Sequence, residues 1–547
     1  MALDPYSKHH THPAYRRWVT SSPAQGLINS SWRSILNTDK NLKDVILCIE
    51  LVFGDKPVRI ASRRCRSTSG KTGVSYEYIG LITQTPQLED SYQVGDATSR
   101  TRTMTIGLPN RIVDIQTLIK NGRSLAGVCE VSLQTDGMDY DNRYVVLRGD
   151  MADGVAFGTI DQVVEVTITD PKDTADTTVP PYVISPDISA TVPDESIGQR
   201  YAIVLPEYDN VPAPFYHSTR VLACHDHLTI TGSVNVDGTY YSSGSAIYPW
   251  STSTDFDQNG VPFTYINFTG GASGLFEGNE QVYVNISGGK GGDSPLTQIR
   301  HLLENYTGLG IEGVSDLLFA AALAKAESIQ SKMLVNGSGG GTVTGISFIE
   351  SEFLRSFPMI SMVWHASGYG PVWTDRRSKQ VSMNLTAGIW PLYDRASYVE
   401  ESPRSDCFNE FTFQYKYDPL EDAYAGVITR DASNSAMCAL SLEVVGPRVH
   451  PVIESRFIFD DSTAEAVVEW MVDHMSLTSF YVEYDASSSM YMRVKLGDNI
   501  KLTDDDFGWS GVSATVEKVN WTPGQCKLGL RVWSRYYTLG GGAVDVG

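Results

Sequence analysis

Positive charge is scarce in this chain. Its 43 lysines and arginines stand against 64 aspartates and glutamates, a net −21 over 547 residues. That balance opposes broad affinity for phosphate backbones or anionic lipid, and so argues against a nucleic-acid-gripping role. Cysteine is scarce too. Cys48, Cys65, Cys129, Cys224, Cys407, Cys438 and Cys526 are odd in number, widely spaced and without a Cys-x-x-Cys pair. Such spacing writes no disulfide framework or zinc ribbon, and free thiols in a reducing compartment are expected. Long apolar runs are missing. The longest, from Leu317 to Ala324, is far too short to cross a bilayer, and Met1 to Arg17 holds no leader-like apolar stretch, so no membrane span and folding in a cytoplasm are expected. Gly-x-Ser-x-Gly, His-Glu-x-x-His and nucleotide-binding fingerprints are absent as well, so the chain is not expected to be an enzyme and no catalytic residue is assigned.

What is present is the composition of an ordinary globular protein, 41% hydrophobic and 20% charged. The length exceeds what one core usually supports and predicts several domains. Charge is uneven along it. From Asp153 to Asn210 there are 11 acids against Lys172 and Arg200, while the first 34 residues carry Lys8, Arg16, Arg17 and Arg33 against Asp4, a basic arm able to dock on an acidic surface.

The patterning is dominated by strands. Met104, Ile106 and Leu108 alternate with Thr103, Thr105 and Gly107, and Val164, Val166 and Ile168 alternate with Glu165, Thr167 and Thr169, so each segment buries one face. Further strands are predicted near 45–53, 58–63, 128–135 and 143–149, with a turn at Asp136-Gly137 and one helix from Ile112 to Asn121. Prolines 171, 180, 181, 186 and 193 mark a linker. Two helices follow, one opened by Ser294-Pro295 and one capped by Ser315 and running to Met333; Gly337 to Gly341 reads as a hinge, Phe348 to Phe357 as a helix and Met362 to Trp373 as strand. The last third is β-rich around a helix capped by Asp461 or Ser462, with Glu465 closing a capping box. Its closing strands are predicted at 492–495, 514–519 and 527–533.

The expected fold class is therefore mainly β and multi-domain (α+β), with two barrel-like units, a small β domain and a small helical part. The expected divisions are an N-terminal arm (1–40), a first β-barrel domain (41–172), a linker (173–200), a small β domain with exposed loops (201–292), a helical part (293–371), a second β-rich domain with an embedded helix (372–540) and a tail (541–547). No internal repeat is visible in the letters. The two β-rich halves could still share a fold.

Several stretches in this order resemble the hub proteins at the tail tips and baseplates of long-tailed bacteriophages. They are Tyr76 to Gly80 (YEYIG), Tyr144 to Gly149 (YVVLRG) with the acidic strand ending at Asp170-Pro171, Ile203 to Pro214 (IVLPEYDNVPAP), Leu496 to Asp504 (LGDNIKLTD) and Val519 to Val532 (VNWTPGQCKLGLRV). The resemblance spans roughly 41 to 540 and points to a siphophage-like tail. It implies a structural virion protein of the tail tip, assembled in a host bacterial cytoplasm as a homotrimer, in which two barrel-like units per chain present six similar surfaces to the tail tube. Implied partners are a distal tail protein or tail tube ring, a tip or fibre protein, the end of the tape-measure protein, and phage DNA passing through without sequence-specific binding along an acidic wall.

Each candidate chemical cluster has a plainer role. Cys224-His225-Asp226-His227 would put two histidines on one strand face, but two ligands do not make a metal site. His9, His10 and His12 in the arm are weaker still. The resemblance brings an iron–sulfur possibility for Cys407, Cys438 and Cys526, which their spacing does not support, and buried thiols are expected instead. Gly70-Lys71-Thr72 and Gly288 to Gly292 lack the strand-to-helix setting of a phosphate loop. Asp418, Glu421 and Asp422, and Asp504, Asp505 and Asp506, read as turn acids rather than a glycosidase pair or a calcium loop. No cofactor and no metal is expected. The alternatives to a hub are a carbohydrate-binding tail module, using Tyr240, Tyr241, Tyr248, Trp250, Phe256 and Tyr265 to stack on sugars, and a polysaccharide-cleaving tail enzyme.

Overall fold

The computed structural model describes residues 30–38, 42–53, 56–82, 86–96, 98–109, 128–156, 163–185, 192–257, 260–269, 280–326, 329–335, 343–365, 367–375, 381–533, 536–539 and 542–545. The expected helix from Ile112 to Asn121, the hinge from Gly337 to Gly341 and the histidines of the arm lie outside the described residues. The architecture is mainly β with several sheets and few helices, as the patterning predicted.

The N-terminal unit is built on β1 (Ile46–Phe53), β2 (Lys56–Ala61), β3 (Cys65–Thr68), β4 (Ser75–Gly80), β5 (Leu88–Ser91), β6 (Thr103–Pro109), β7 (Val128–Gln134), β8 (Tyr144–Ala156) and β9 (Val163–Thr169). All but β5 form one sheet, in the order β3-β4-β2-β1-β7-β8-β9-β6. The two alternating segments read from the sequence are partners: Met104 lies opposite Ile168 and Ile106 opposite Val166, all four buried. Gly149 sits where β8 passes β9, and a Cβ there would run into the Thr169 carbonyl.

Between the two large sheets lie two smaller bodies. Residues 208–287 form two four-stranded antiparallel sheets that enclose one core, with Val211, Val221, Val234, Ile266 and Val284 fully buried. The helical part contains α1 (Pro295–Tyr306) and α2 (Asp316–Lys325). The Ser315 side chain accepts from the Leu318 amide as its capping position predicts, but α2 stops at Lys325 rather than Met333, which instead begins a short strand pairing Ile203–Leu205. The stretch expected as strand from Met362 to Trp373 is a hairpin of two strands, Ile360–His365 and Gly368–Trp373.

The C-terminal unit has β10 (Met383–Thr386), β11 (Leu392–Glu401), β12 (Ser479–Ala486), β13 (Asn499–Asp504), β14 (Trp509–Thr522) and β15 (Gln525–Trp533), ordered β10-β13-β14-β15-β12-β11. The stretch expected as a strand at 492–495 is instead a helical turn over Met490–Arg493 beside three buried serines, Ser487, Ser488 and Ser489, and the strand begins at Asn499. Inserted between β11 and β12 are a hairpin (Phe411–Asp418 with Ala423–Arg430), α3 (Ala436–Val445) and α4 (Asp461–Met475). Asp460, one residue earlier than expected, caps α4 by accepting from Thr463. Its stripe Ala464, Val467, Val468, Met471 and Val472 packs into the core of the helical part, not into the sheet that flanks it in sequence.

A repeat emerges from the topology. In the N-terminal sheet four strands run β7-β8-β9-β6; in the C-terminal sheet four run β13-β14-β15-β12. In both, every neighbouring pair is antiparallel, the last three strands in sequence follow one another across the sheet, and the first strand in sequence closes the far side. Both units also feed one hydrophobic core, in which Leu47, Ile49, Val131 and Ile168 join Val482, Leu502, Val516 and Leu530.

Candidate functional site: the seam between two related sheets

The two units are stitched by β5. This four-residue strand leaves the N-terminal unit and pairs antiparallel with β14: Ser91 opposite Lys518, Asp90 opposite Val519, Glu89 opposite Asn520 and Leu88 opposite Trp521. Residues 518–521 pair β15 on their other edge, so β5 continues the line of β13 along the same side of β14. Leu88 is fully buried in the shared core and Trp521 nearly so. A backbone bond from the Tyr92 amide to the Glu517 carbonyl (3.0 Å) prolongs the contact.

Beneath β5 sits a buried charge cluster. Arg102 reaches Asp170 through Nη2 (2.7 Å) and Nε (2.9 Å), and approaches Asp90 at 3.6 Å, an ion contact too long for a hydrogen bond. Its Nη1 donates to the Val146 carbonyl at 3.1 Å. Burial opposes the Arg102 charge, but Asp170 and Asp90 outweigh it and hold its pKa above the arginine norm. Burial dominates at the carboxylates: it pushes Asp90 up to about 6 and raises Asp170, with Arg102 pulling the other way. Two acids sharing one guanidinium thus anchor the strap to the sheet that sends it out.

On the open side of the seam, Lys518 bridges Glu89 of the strap (3.2 Å) and Glu483 of β12 (3.4 Å), and Arg531 pairs Glu517 at 3.0 Å. Burial would depress Lys518, but the two glutamates more than offset it and raise its pKa. A cavity of about 730 Å³ opens here, walled by Tyr92, Arg100, Trp470, His474, Tyr481 and Trp533. His474 stacks on Trp470 with centroids 4.1 Å apart, and its Nδ1 lies 2.9 Å from the Trp470 carbonyl.

The residues singled out from sequence disperse. Asp226 has φ 71°, in the left-handed region, which ends the strand Arg220–His225 and turns His227 out to solvent, away from the face of His225. His225 is buried, stacked on Tyr182 and edge-on to Tyr306, and desolvation lowers it to about 4. The seven cysteines are free and buried; Cys438 belongs to the core of the helical part and Cys526 to the shared core. The amides of Gly70 and Lys71 already bond Asp139 and Asp141, so that loop holds its own carboxylates where a phosphate would sit. Asp504 accepts from Tyr484 and from the Asp506 amide. Trp250 is buried and donates to the Tyr241 carbonyl; Tyr240 and Phe256 are the exposed aromatics of that set. Asp170 and Asp176 are used internally, the latter binding Thr344 and the Ile346 amide, so the acidic stretch is not one solvent-facing wall.

Sequence reasoning missed the buried serine–histidine contact of Ser367 Oγ with His365 Nδ1 at 2.8 Å. The Ser367 amide donates to the same nitrogen, and burial drives His365 down to about 3. That geometry clamps a hairpin turn and does not poise a base. Among the described residues no group of three or more His, Cys, Asp or Glu is placed to hold a metal, and no helix is long and apolar enough to cross a membrane.

No family model and no curated protein matches this chain. Among solved structures it is similar to the tail protein from Neisseria meningitidis MC58, at 8% identity and TM-score 0.40, covering 89% of this chain and 98% of that one. It is also similar to the 43 kDa tail protein of prophage MuSo2 from Shewanella oneidensis (9% identity, TM-score 0.36, 89% of this chain and 97% of that one). A third likeness is to a topological model of the p2 virion baseplate in its activated conformation, at 10% identity and TM-score 0.19, covering 64% of this chain and 97% of that one.

Proposed function

We propose that the chain is a structural subunit of a bacteriophage tail tip, three copies of which close a ring of six related β units around a conduit. The carrying observation is the four-strand repeat, β7-β8-β9-β6 and β13-β14-β15-β12, held in one chain by a shared core. A sixfold tail tube offers equivalent surfaces all round. A chain with two like units meets two of them, and closed symmetry then calls for three chains.

On this reading the ring sits below the tail tube or a distal tail ring, carries a tip or fibre protein, receives the end of the tape-measure protein and lets DNA pass. Its role is mechanical, with no catalytic residue. The burial of β5 and the Arg102 cluster serve it by fixing the angle between the two units. The net charge of −21 suits a conduit that must not hold a polyanion.

Native mass measurement of the full chain, free and seated on tail tubes, tests the proposal. Three times the 60.1 kDa chain mass, with density showing six similar lobes, is the expected result. A single copy per particle, or a ring whose neighbouring lobes share no shape, overturns it. Release of sugar fragments by the pure protein would point instead to an enzyme.

A further inference from the structure

The two faces of β1 enter different cores. Leu47, Ile49 and Leu51 point into the core shared with the C-terminal unit; Ile46 and Cys48 point the other way, into a small cluster with Ala61, Cys65, Tyr78 and Tyr140. The hairpin β3–β4 covers this cluster. β4 pairs β2 through Ile60–Ile79 and Ala61–Gly80, and the rest of the hairpin lies across the sheet: the Ser67 hydroxyl donates to the Met138 carbonyl at 2.9 Å, and Tyr76 stacks on Tyr140 with centroids 3.8 Å apart. Buried charge lies beneath. The Tyr140 hydroxyl reaches Glu50 at 3.4 Å, and Glu50 lies opposite Glu130 in the register of β1 with β7.

Cys48 and Cys65 meet in this cluster. Their sulfurs are 3.6 Å apart, and both side chains are buried. A short detour of the chain brings them together: Ala61 pairs Cys48 across β2 and β1, the exposed residues Ser62, Arg63 and Arg64 turn the backbone, and Cys65 opens β3 over the Cys48 side chain. We propose that Cys48 and Cys65 are an oxidation site, joined as a disulfide when the folded chain meets a low-molecular-weight disulfide, and that the bond pins the β3–β4 hairpin over the buried charges of the sheet centre. Two sulfurs already in contact need only small side-chain rotations to close to a bond of about 2 Å. A reducing cytoplasm keeps the pair open while the chain folds, and an oxidising medium closes it, whether or not the chain forms a ring.

The exchange takes two steps. The Cys65 thiolate attacks the small disulfide, bonding to one of its sulfurs while the other leaves as a thiolate; the Cys48 thiolate then attacks the Cys65 sulfur and expels the second. Two protein thiols are oxidised, one small disulfide is reduced to two thiols, and the two cysteine protons end on them. The surroundings set this order. Cys65 adjoins the exposed turn, whereas Cys48 sits within β1 with no exposed surface. The hydrogen bond from Cys48, helped by Arg63, lowers the Cys65 pKa against burial and Asp136, while the other six thiols are all raised. Cys65 is therefore the thiol best placed to become the attacking thiolate.

The test takes the full chain, purified under reductant and exchanged into oxidised glutathione, then blocks the remaining thiols, digests the protein and maps its peptides by mass. The expected result is one cross-linked pair, Cys48 with Cys65, lighter by two hydrogens, with two of the seven thiols lost to titration. The thermal midpoint should rise on the order of 5 °C and fall back on reduction. Cys48→Ala should stop at a glutathione adduct on Cys65, and Cys65→Ala should leave Cys48 unmodified; neither should gain stability on oxidation. The wild-type map decides the site even where a variant fails to fold. Seven thiols still titrating after prolonged oxidation, or a cross-link between another pair in place of this one, overturns the site. A Cys48–Cys65 bond that leaves the thermal midpoint unmoved overturns the pinning of the hairpin.

Discussion

The N-terminal and C-terminal sheets share four strands in one order but differ in what covers them. In the first, the central strand β1 is buried at every residue from Ile46 to Val52, so both faces are enclosed there, while the outer strands β4 and β6 keep exposed positions; in the second, β12 at the seam alternates between buried and half-exposed positions. The consequence is electrostatic. A sheet enclosed on both faces must satisfy its polar groups from within: Glu130 takes Arg143 at 2.6 Å and Arg148 at 2.9 Å, all nearly fully buried, and Glu50 takes Arg59 at 3.1 Å. The half-open sheet shares the task with water, as at Arg531–Glu517 and Lys518–Glu483. One topology therefore supports two uses, a sealed sheet centre and a face with a cavity in front of it. Substitutions at corresponding kinds of contact should separate the two.

The largest separation is expected at Glu130→Ala. Burial alone would raise this carboxyl, yet Arg143 and Arg148 hold it below the usual range, so both guanidiniums depend on it. Removing it strands two buried cations and should cost about 3–5 kcal/mol in chemical denaturation. A loss below about 1 kcal/mol would mean that water enters this face, and the contrast between the sheets would fail.

Next comes the strap that joins them. Leu88→Ala removes a fully buried side chain from the shared core and should cost about 2–4 kcal/mol. If the two units are one cooperative body, the transition remains single and moves as a whole. Two resolved transitions, with only one displaced, would show that the sheets melt independently.

A smaller, pH-dependent effect is expected at Asp90. Its folded-state pKa of about 6 lies above the ordinary value of 3.8, so the fold favours the protonated form. Stability on this account rises as pH falls from about 6 toward 4 and is lost as pH climbs through 6. Asp90→Asn fixes the neutral form. It should exceed the wild type by about 1–2 kcal/mol at pH 7.5 and match it near pH 4. A difference that is constant across that window would assign the strap's stability to packing alone.

These sites also show what was legible beforehand. Strands with clean alternation announced themselves, and Met104 to Leu108 and Val164 to Ile168 turned out to be partners. The start of α4 was legible to within one residue, because Asp460, Asp461 and Ser462 can all cap and only backbone geometry chooses. β5 was invisible. Leu-Glu-Asp-Ser has no strand signal of its own, and its conformation is imposed by residues 518–521, more than four hundred positions away. The helical turn at Met490–Arg493 was misread for the converse reason, since a short apolar–basic alternation fits either state until the buried serines before it fix the turn. Local propensity carried the sheets; the seam is a product of long-range pairing.

The smallest effect expected is at Lys518→Met, and it is the most diagnostic of the open face. Lys518 is about a quarter exposed and reaches two glutamates, Glu89 at 3.2 Å and Glu483 at 3.4 Å. Methionine keeps the stem and removes only the charge. An exposed ion pair contributes roughly 0.2–1 kcal/mol, screened by salt, so the loss should be near 0.5 kcal/mol at low ionic strength and should vanish by about 1 M salt. Because Lys518 holds strap and sheet together at a place where solvent reaches both, a salt-independent loss comparable to that of Glu130→Ala would mean that the cavity is closed to water, and this face of the C-terminal sheet would then be as sealed as the centre of its counterpart.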